Sequence, residues 1–159
     1  MKEVYLLFGG NLGNVLETIA KARKILTDKI GEEVRYSSFY RTAAWGKTDQ
    51  PDFLNQVAIY RSALDAEDIL QHCLDTEKFL GRERSVKNAS RTIDIDILFY
   101  GGDVIDTKNL KVPHPLIPER KFVLTPLAEI APFFIHPILG TNMKKMLKET
   151  ADKLSVKKI

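Results

Sequence analysis

Apolar residues in the first hundred positions fall into two periods, and the switches between them mark the elements. Lys2–Phe8 is rich in strand-forming residues (Val4-Tyr5-Leu6-Leu7-Phe8), which predicts a buried first strand. It stops at Gly9-Gly10, so a tight loop is expected over Gly9-Gly10-Asn11-Leu12-Gly13-Asn14. Leu12, Leu16, Ile19, Arg23, Leu26 and Ile30 then recur at three- and four-residue intervals, the stripe of a helix in which only Arg23 is off-type and which Gly31 can end. Glu33–Arg41 and Phe53–Ser62 read as the next two strands. The segment 42–52 between them is long for a hairpin, which favours a functional loop. Asp65 can cap a second helix whose buried face is Ala66, Ile69, Leu70, Cys73, Leu74, Glu77 and Leu80, with Gly81 at its end. A basic loop, 82–91, leads into a strand over Thr92–Tyr100, closed by Gly101-Gly102.

The resulting order is β-α-β-β-α-β. That order predicts an α+β, ferredoxin-like core, an antiparallel sheet with two helices on one face. The rest of the chain is rich in proline and carries an amphipathic stretch at Thr141–Leu154, expected to decorate that core with helical and strand additions. A chain of 159 residues without repeat or linker is expected to form one domain, 1–159.

Composition narrows the class. The sequence is 44% hydrophobic and 28% charged, the makeup of an ordinary globular protein. Its apolar runs are too short for a bilayer span, and the N-terminal one is too short for a signal-peptide core. Cys73 is the single cysteine, so no internal disulfide can form. Together these predict a cytoplasmic protein with no membrane partner. The formal net charge of +3 hints at a polyanion partner, but residues 144–159 hold six lysines against two acids, and the rest is near neutral. No nucleic-acid partner is expected.

Chemistry concentrates around the last core strand. Alternation puts Ile93, Ile95 and Ile97 on one face and Asp94 and Asp96 on the other, with Leu98 and Tyr100 continuing the aspartate face. Two carboxylates about 7 Å apart repel unless water solvates them or a cation bridges them. A solvated sheet face and a Mg²⁺ site with substrate phosphates both satisfy that. The preceding loop carries Arg82, Arg84, Lys87 and Arg91 against Glu83, the charge a phosphate chain requires. With no apolar periodicity, that loop is expected to be mobile and to close over bound substrate. Glu77 sits on an apolar helix face and needs a partner, either within the core or in a ligand. His72 and His136 show no ligand spacing. The glycine-rich start lacks the spacing of a dinucleotide or P-loop motif.

The segment Lys87-Asn88-Ala89-Ser90-Arg91-Thr92-Ile93-Asp94-Ile95-Asp96-Ile97-Leu98 resembles the signature of the 6-hydroxymethyl-7,8-dihydropterin pyrophosphokinase family. Further similarity lies in Phe8-Gly9-Gly10-Asn11-Leu12-Gly13, Ser37–Thr42, Gln50–Asn55, Pro113-His114-Pro115, Glu119–Phe122 and Pro126–Pro132, nearly the whole chain. The resemblance implies transfer of pyrophosphate from ATP to the hydroxymethyl group of the pterin, releasing AMP, with two Mg²⁺ ions. It implies Asp94 and Asp96 as metal ligands, and Arg82, Arg84, Arg91 and Asp96 as catalytic residues. It places ATP against Glu77, Arg84, Arg91, Ile97, His114 and Arg120. It places the pterin against Thr42, Ala43, Trp45, Phe53, Asn55, Asp94 and Phe122. A monomer is expected. The competing reading is a ferredoxin-like RNA- or small-ligand-binding module without catalysis, disfavoured because Asp94 and Asp96 would repel phosphate on the strand that RNA-binding domains expose.

Overall fold

The computed structural model describes residues 1–43, 50–81 and 92–159. Its elements are β1 (Lys2–Gly10), α1 (Val15–Lys29), β2 (Gly31–Tyr36), β3 (Tyr40–Thr42), β4 (Phe53–Ser62), α2 (Ala66–Phe79), β5 (Asp94–Tyr100), β6 (Ile105–Asp106), β7 (Lys111–Val112), a 3-10 turn (Ile117–Glu119), α3 (Lys121–Ile130), α4 (Met143–Glu149) and β8 (Val156–Lys158). The main sheet runs β5-β1-β4-β3-β8, with β2 also on β4, and every pairing is antiparallel. The ferredoxin-like α+β core is therefore present.

The continuous apolar run of β1 follows from its place at the centre of a sheet covered on both faces. Val4, Leu6 and Phe8 join the core beneath α1 and α2, whereas Tyr5 and Leu7 join a second core beneath α3 and α4. The C-terminal additions are thus more than decoration: they bury the sheet's other face and complete three layers. Leu6 is fully buried, so truncating it to alanine costs roughly 2–5 kcal/mol.

Several sequence expectations shift. Gly9 and Gly10 continue β1 opposite Asn55 and Leu54 instead of forming a loop. Helix α1 starts at Val15, capped by the Asn14 side chain, so its buried stripe is Val15, Ile19, Ala22 and Leu26, while Leu12 and Leu16 are exposed. Arg23, the off-type position, makes paired hydrogen bonds to Glu33 at 2.9 and 2.5 Å and a third to Gln56 at 3.2 Å. Its guanidinium lies 4.0 Å from the Tyr36 ring centroid.

Gly31 does not simply end the helix. It opens β2 at φ +149°, and a Cβ there would meet the Arg61 carbonyl oxygen at 2.0 Å. The strand expected over Glu33–Arg41 is two strands, because Ser37 and Gln56 substitute side-chain bonds for the ladder. Val57 N–H donates to Ser37 Oγ at 3.0 Å and Gln56 Nε2 donates to the Ser37 carbonyl at 2.7 Å.

On β5, Leu6 faces Ile97 while Tyr5 faces Phe99, so a bulge falls at Leu98. Leu98 stays on the aspartate face. Tyr100, contrary to expectation, turns to the α1–α2 side, where its hydroxyl donates to the Leu64 carbonyl at 2.7 Å. The amphipathic stretch Thr141–Leu154 is helical only over Met143–Glu149. Thr150 leaves the helix in an extended conformation, and the chain crosses to the sheet edge as β8. Lysines at the exposed positions of such an edge strand discourage further pairing. Among the described residues no helix is long and apolar enough to cross a membrane.

Candidate active site

Strand register assembles the site. Asp94 lies opposite Gly9, Gly9 opposite Asn55, and Asn55 opposite Tyr40, so one row crosses four strands on the face toward α3. One row further in, Asp96 lies opposite Leu7. Residues directly opposed in antiparallel strands project to the same face, and adjacent strands are about 4.8 Å apart, so Asp94 and Asn55 flank Gly9 at a backbone separation of roughly 10 Å. Thr42 and Phe53 form the neighbouring pair at the rim.

This row floors a cleft that opens to solvent. Its walls are Thr42, Ala43 and Phe53 on one side, Asp94 and Asp96 on the other, and Arg120, Phe122 and Leu154 above. Gly9 makes the depth possible. A Cβ at Gly9 would stand 2.3 Å from Asn55 Oδ1, so any side chain there would occupy the floor and displace the amide. Asn55 is 4% exposed, and a buried amide of this kind is a high-cost polar group that rewards a ligand able to bond it.

Helix α3 brings the opposite wall. Arg120 occupies its N-cap position, with the guanidinium 5.6 Å from the Phe122 ring centroid. At its far end Glu129 accepts from Ser38 N–H at 2.9 Å, Ser38 Oγ at 2.8 Å and Tyr40 Oη at 2.8 Å, tying α3 to β3. Burial opposes charge on Glu129, but the bonds from Tyr40 and Ser38, with the Lys158 ammonium nearby, outweigh it and hold the carboxyl below its usual range. Burial and the Glu129 bond push the Tyr40 phenol up to about 12.

His114 donates its backbone N–H to the Leu98 carbonyl at 3.0 Å, and its Nδ1 accepts from Leu116 N–H at 3.2 Å. Burial, reinforced by the Arg120 cation, lowers its pKa, and Asp94 opposes the shift. The imidazole is therefore neutral at pH 7, within the fields of Asp94 and Arg120. Glu77, buried on α2, accepts from Ile95 N–H at 2.7 Å. The bond goes to β5, the last strand of the sheet, which explains a carboxylate on an apolar helix face. Ile97 is buried in the core under α1 and α2, on the side of β5 away from the cleft floor.

Of the expected pterin-side residues, Thr42, Ala43, Phe53, Asn55, Asp94 and Phe122 line one cleft together with Asp96 and Arg120. Glu77, Ile97 and His114 do not line it. Trp45, Arg82, Arg84 and Arg91 lie outside the described residues. Sequence reasoning missed Leu7, Gly9 and Leu154. In the sequence Gly9 reads as a loop glycine, and Leu154 reaches the cleft only because the tail returns to the sheet. Asn11, also buried, donates to the Pro51 carbonyl at 3.0 Å and pins the chain leading into β4 beside the end of β1. A more open groove lies at the start of α1, lined by Gly13–Leu16, Arg41 and Asp52 among others.

Among the described residues no cluster of three or more histidine, cysteine or acidic side chains could by itself hold a metal ion. Asp94 and Asp96 supply two hard oxygen donors at the cleft wall. That donor set fits Mg²⁺, which takes one or two carboxylates and completes its shell from water and ligand phosphates.

The model of the family described as 7,8-dihydro-6-hydroxymethylpterin-pyrophosphokinase matches residues 5–132. A 2-amino-4-hydroxy-6-hydroxymethyldihydropteridine pyrophosphokinase from Aquifex aeolicus is 40% identical over 149 residues, covering 94% of this chain and 92% of that protein. A protein of the same description from Synechocystis sp. is 39% identical, covering 89% of this chain and 72% of the relative. Among solved structures, wild-type Plasmodium falciparum HPPK-DHPS aligns with a TM-score of 0.77 at 15% identity. The alignment covers 93% of this chain and 44% of that longer one, a likeness of fold.

Proposed function

The chain belongs to the 7,8-dihydro-6-hydroxymethylpterin-pyrophosphokinase family, and from that membership we propose how its cleft works. The protein is a pyrophosphokinase of folate synthesis that transfers a pyrophosphoryl group from ATP to the hydroxymethyl group of 6-hydroxymethyl-7,8-dihydropterin. The observation that carries the site assignment is the row Asp94–Gly9–Asn55 on one cleft floor, which sets metal-type carboxylates beside a buried amide with a side-chain-free gap between them.

The pterin lies over Gly9. Asn55 and the backbone at Thr42, Ala43 and Trp45 bond its polar edge, and Phe53 and Phe122 pack its faces, a contact worth about 1 kcal/mol beyond burial. A site built around a buried amide discriminates strongly, because a ligand lacking the matching groups leaves Asn55 unpaired. ATP extends from Asp94 and Asp96 toward Arg120 and His114, with Arg84 and Arg91 completing its site, while Glu77 supports β5 from the other face through its bond to Ile95 N–H. Two Mg²⁺ ions at Asp94 and Asp96 would neutralise phosphate charge and orient the chain of phosphates.

The pterin hydroxyl oxygen attacks the β-phosphorus in line, and the bond from that phosphorus to the α,β-bridging oxygen breaks, releasing AMP. The protein positions the two oxygens and spreads the charge, with Arg82, Arg84 and Arg91 at the transferring group. We further propose that it acts as a cytoplasmic monomer on these small molecules, without a nucleic-acid or membrane partner. An RNA-binding role is disfavoured because α3 and α4 cover the sheet face that such modules leave open.

Product analysis by phosphorus NMR tests the reading. Purified protein with Mg²⁺ and ATP yields AMP and a pterin diphosphate ester only when the hydroxymethyl-dihydropterin is present. Formation of ADP, or of AMP without the pterin, refutes it.

A further inference from the structure

Helix α3 carries Arg120 and Phe122 into the cleft, yet no side chain of its own caps its N-terminus. The first N–H groups of a helix have no intrahelical partner and favour an anion. Here the partner comes from the C-terminal tail: Lys121 N–H donates to Asp152 Oδ2 at 2.8 Å. The other oxygen of the same carboxylate, Oδ1, accepts from Leu154 N–H at 3.0 Å. One carboxylate therefore bridges the start of α3 to the tail residue whose side chain lines the cleft.

The bridge is anchored on both sides. Upstream, Thr150 Oγ1 donates to the Pro118 carbonyl at 2.9 Å. Downstream, β8 pairs with β3, bringing Val156 opposite Thr42, itself a cleft residue. Leu154 is 36% exposed, an apolar surface at the cleft rim that a bound flat ring would cover.

We infer that the tail segment Asp152–Leu154 is part of the substrate-binding apparatus: Leu154 is an apolar wall of the pterin slot, and Asp152 is a positioning residue that sets Phe122 against that wall. This rests on the assignment of the cleft to the pterin. Deleting most of the Leu154 side chain removes apolar contact on the ring and leaves β8 pairing intact. Deleting the Asp152 carboxylate frees both the start of α3 and the turn that presents Leu154. Asparagine, with one acceptor oxygen, restores one of the two bonds.

The test is calorimetric titration of full-length protein with 6-hydroxymethylpterin, in the presence of Mg²⁺ and a non-hydrolysable ATP analogue. Leu154→Ala weakens pterin binding about five- to tenfold, and Asp152→Ala about tenfold, the scale of partial loss of a buried apolar side chain or of a pair of hydrogen bonds. Asp152→Asn falls between Asp152→Ala and wild type. Lys157→Ala, on the same tail, binds as wild type. Affinity for the nucleotide analogue changes less than threefold throughout. Should Asp152→Ala fail to fold, Leu154→Ala alone decides. Wild-type pterin affinity in Leu154→Ala overturns the inference, as does an Asp152→Ala variant that melts earlier but binds normally. If Asn55→Ala weakens pterin binding while both tail variants do not, the tail role fails and the cleft assignment stands. A wild-type protein that binds no pterin overturns the cleft assignment and the inference together.

Discussion

Gly9→Ala adds a single methyl group to the floor of the cleft. The backbone at Gly9 is ordinary strand, so the substitution carries no conformational strain, and alanine loses less entropy than glycine on folding. The whole effect is steric: the new Cβ would lie 2.3 Å from Asn55 Oδ1 and 3.4 Å from Asn55 Cγ, closer to the oxygen than atoms can stand. The Leu54 carbonyl, at 3.6 Å, is in ordinary contact, so the backbones need not part. The side chain of Asn55 must rotate or shift, and since Asn55 is buried, overpacking costs stability by about 1–3 kcal/mol. A ligand that depends on the amide loses it as well. One misplaced hydrogen-bonding group with a stranded partner costs about 1–3 kcal/mol, which corresponds to roughly a five- to 150-fold rise in pterin Kd. Calorimetric titration beside thermal unfolding measures both quantities, and nucleotide affinity serves as the internal control. Because the damage passes through Asn55, Gly9→Ala placed on Asn55→Ala has almost no further effect on either. Independent, additive losses in that double-mutant cycle, or wild-type pterin affinity in Gly9→Ala alone, refute the reasoning.

On the proposed assignment of both carboxylates as metal ligands, Asp94→Ala and Asp96→Ala each abolish measurable AMP formation; saturation with Mg²⁺ and near-normal turnover in either variant would contradict this. Arg23→Ala leaves Glu33, whose side chain is 17% exposed, without its ion-pair partner and lowers stability by about 2–3 kcal/mol in denaturant titration, with catalysis per folded molecule unchanged. Burial lowers the pKa of His136, whose Nδ1 accepts from Ile138 and Leu139 N–H at 3.1 Å each. As pH falls below about 6.5 the unfolded chain takes up the proton first, so stability is lost from there downward. His136→Asn, which keeps an acceptor that cannot protonate, has a flatter stability profile between pH 7 and 5, with the remaining slope partly due to His114, whose pKa is lowered in the same sense.

What could be read in the sequence was whatever depends on local pattern. The order of the core elements, the Asp65 cap and the shared face of Asp94 and Asp96, opposite the isoleucines, all follow from periodicity and turn chemistry. Departures arise where a distant partner decides. Gly9 reads as a loop glycine until Asn55 is known to lie against it. Leu98 flips the phase of β5 because β1 is one residue short at that point. Ser37 interrupts the strand where its carbonyl and Oγ accept from the Gln56 amide and Val57 N–H in place of part of the ladder. Leu154 and Asp152 reach the site through β8, a three-residue strand whose pairing with β3 no local pattern announces. The pterin itself was accessible only through resemblance, since an asparagine on a strand is unremarkable until glycine and aspartate are found in register with it.

The site assignment is tested most directly by amide NMR of the nitrogen-15-labelled protein titrated with 6-hydroxymethylpterin in the presence of Mg²⁺ and a non-hydrolysable ATP analogue. Bound over the cleft floor, the pterin shifts Gly9, Thr42, Asn55, Asp94 and Phe122 most, residues of five elements that line one cleft, and leaves the groove at Gly13–Leu16 and Asp52 unchanged. Shifts concentrated in that groove, with Gly9 and Asn55 unmoved, would contradict the account.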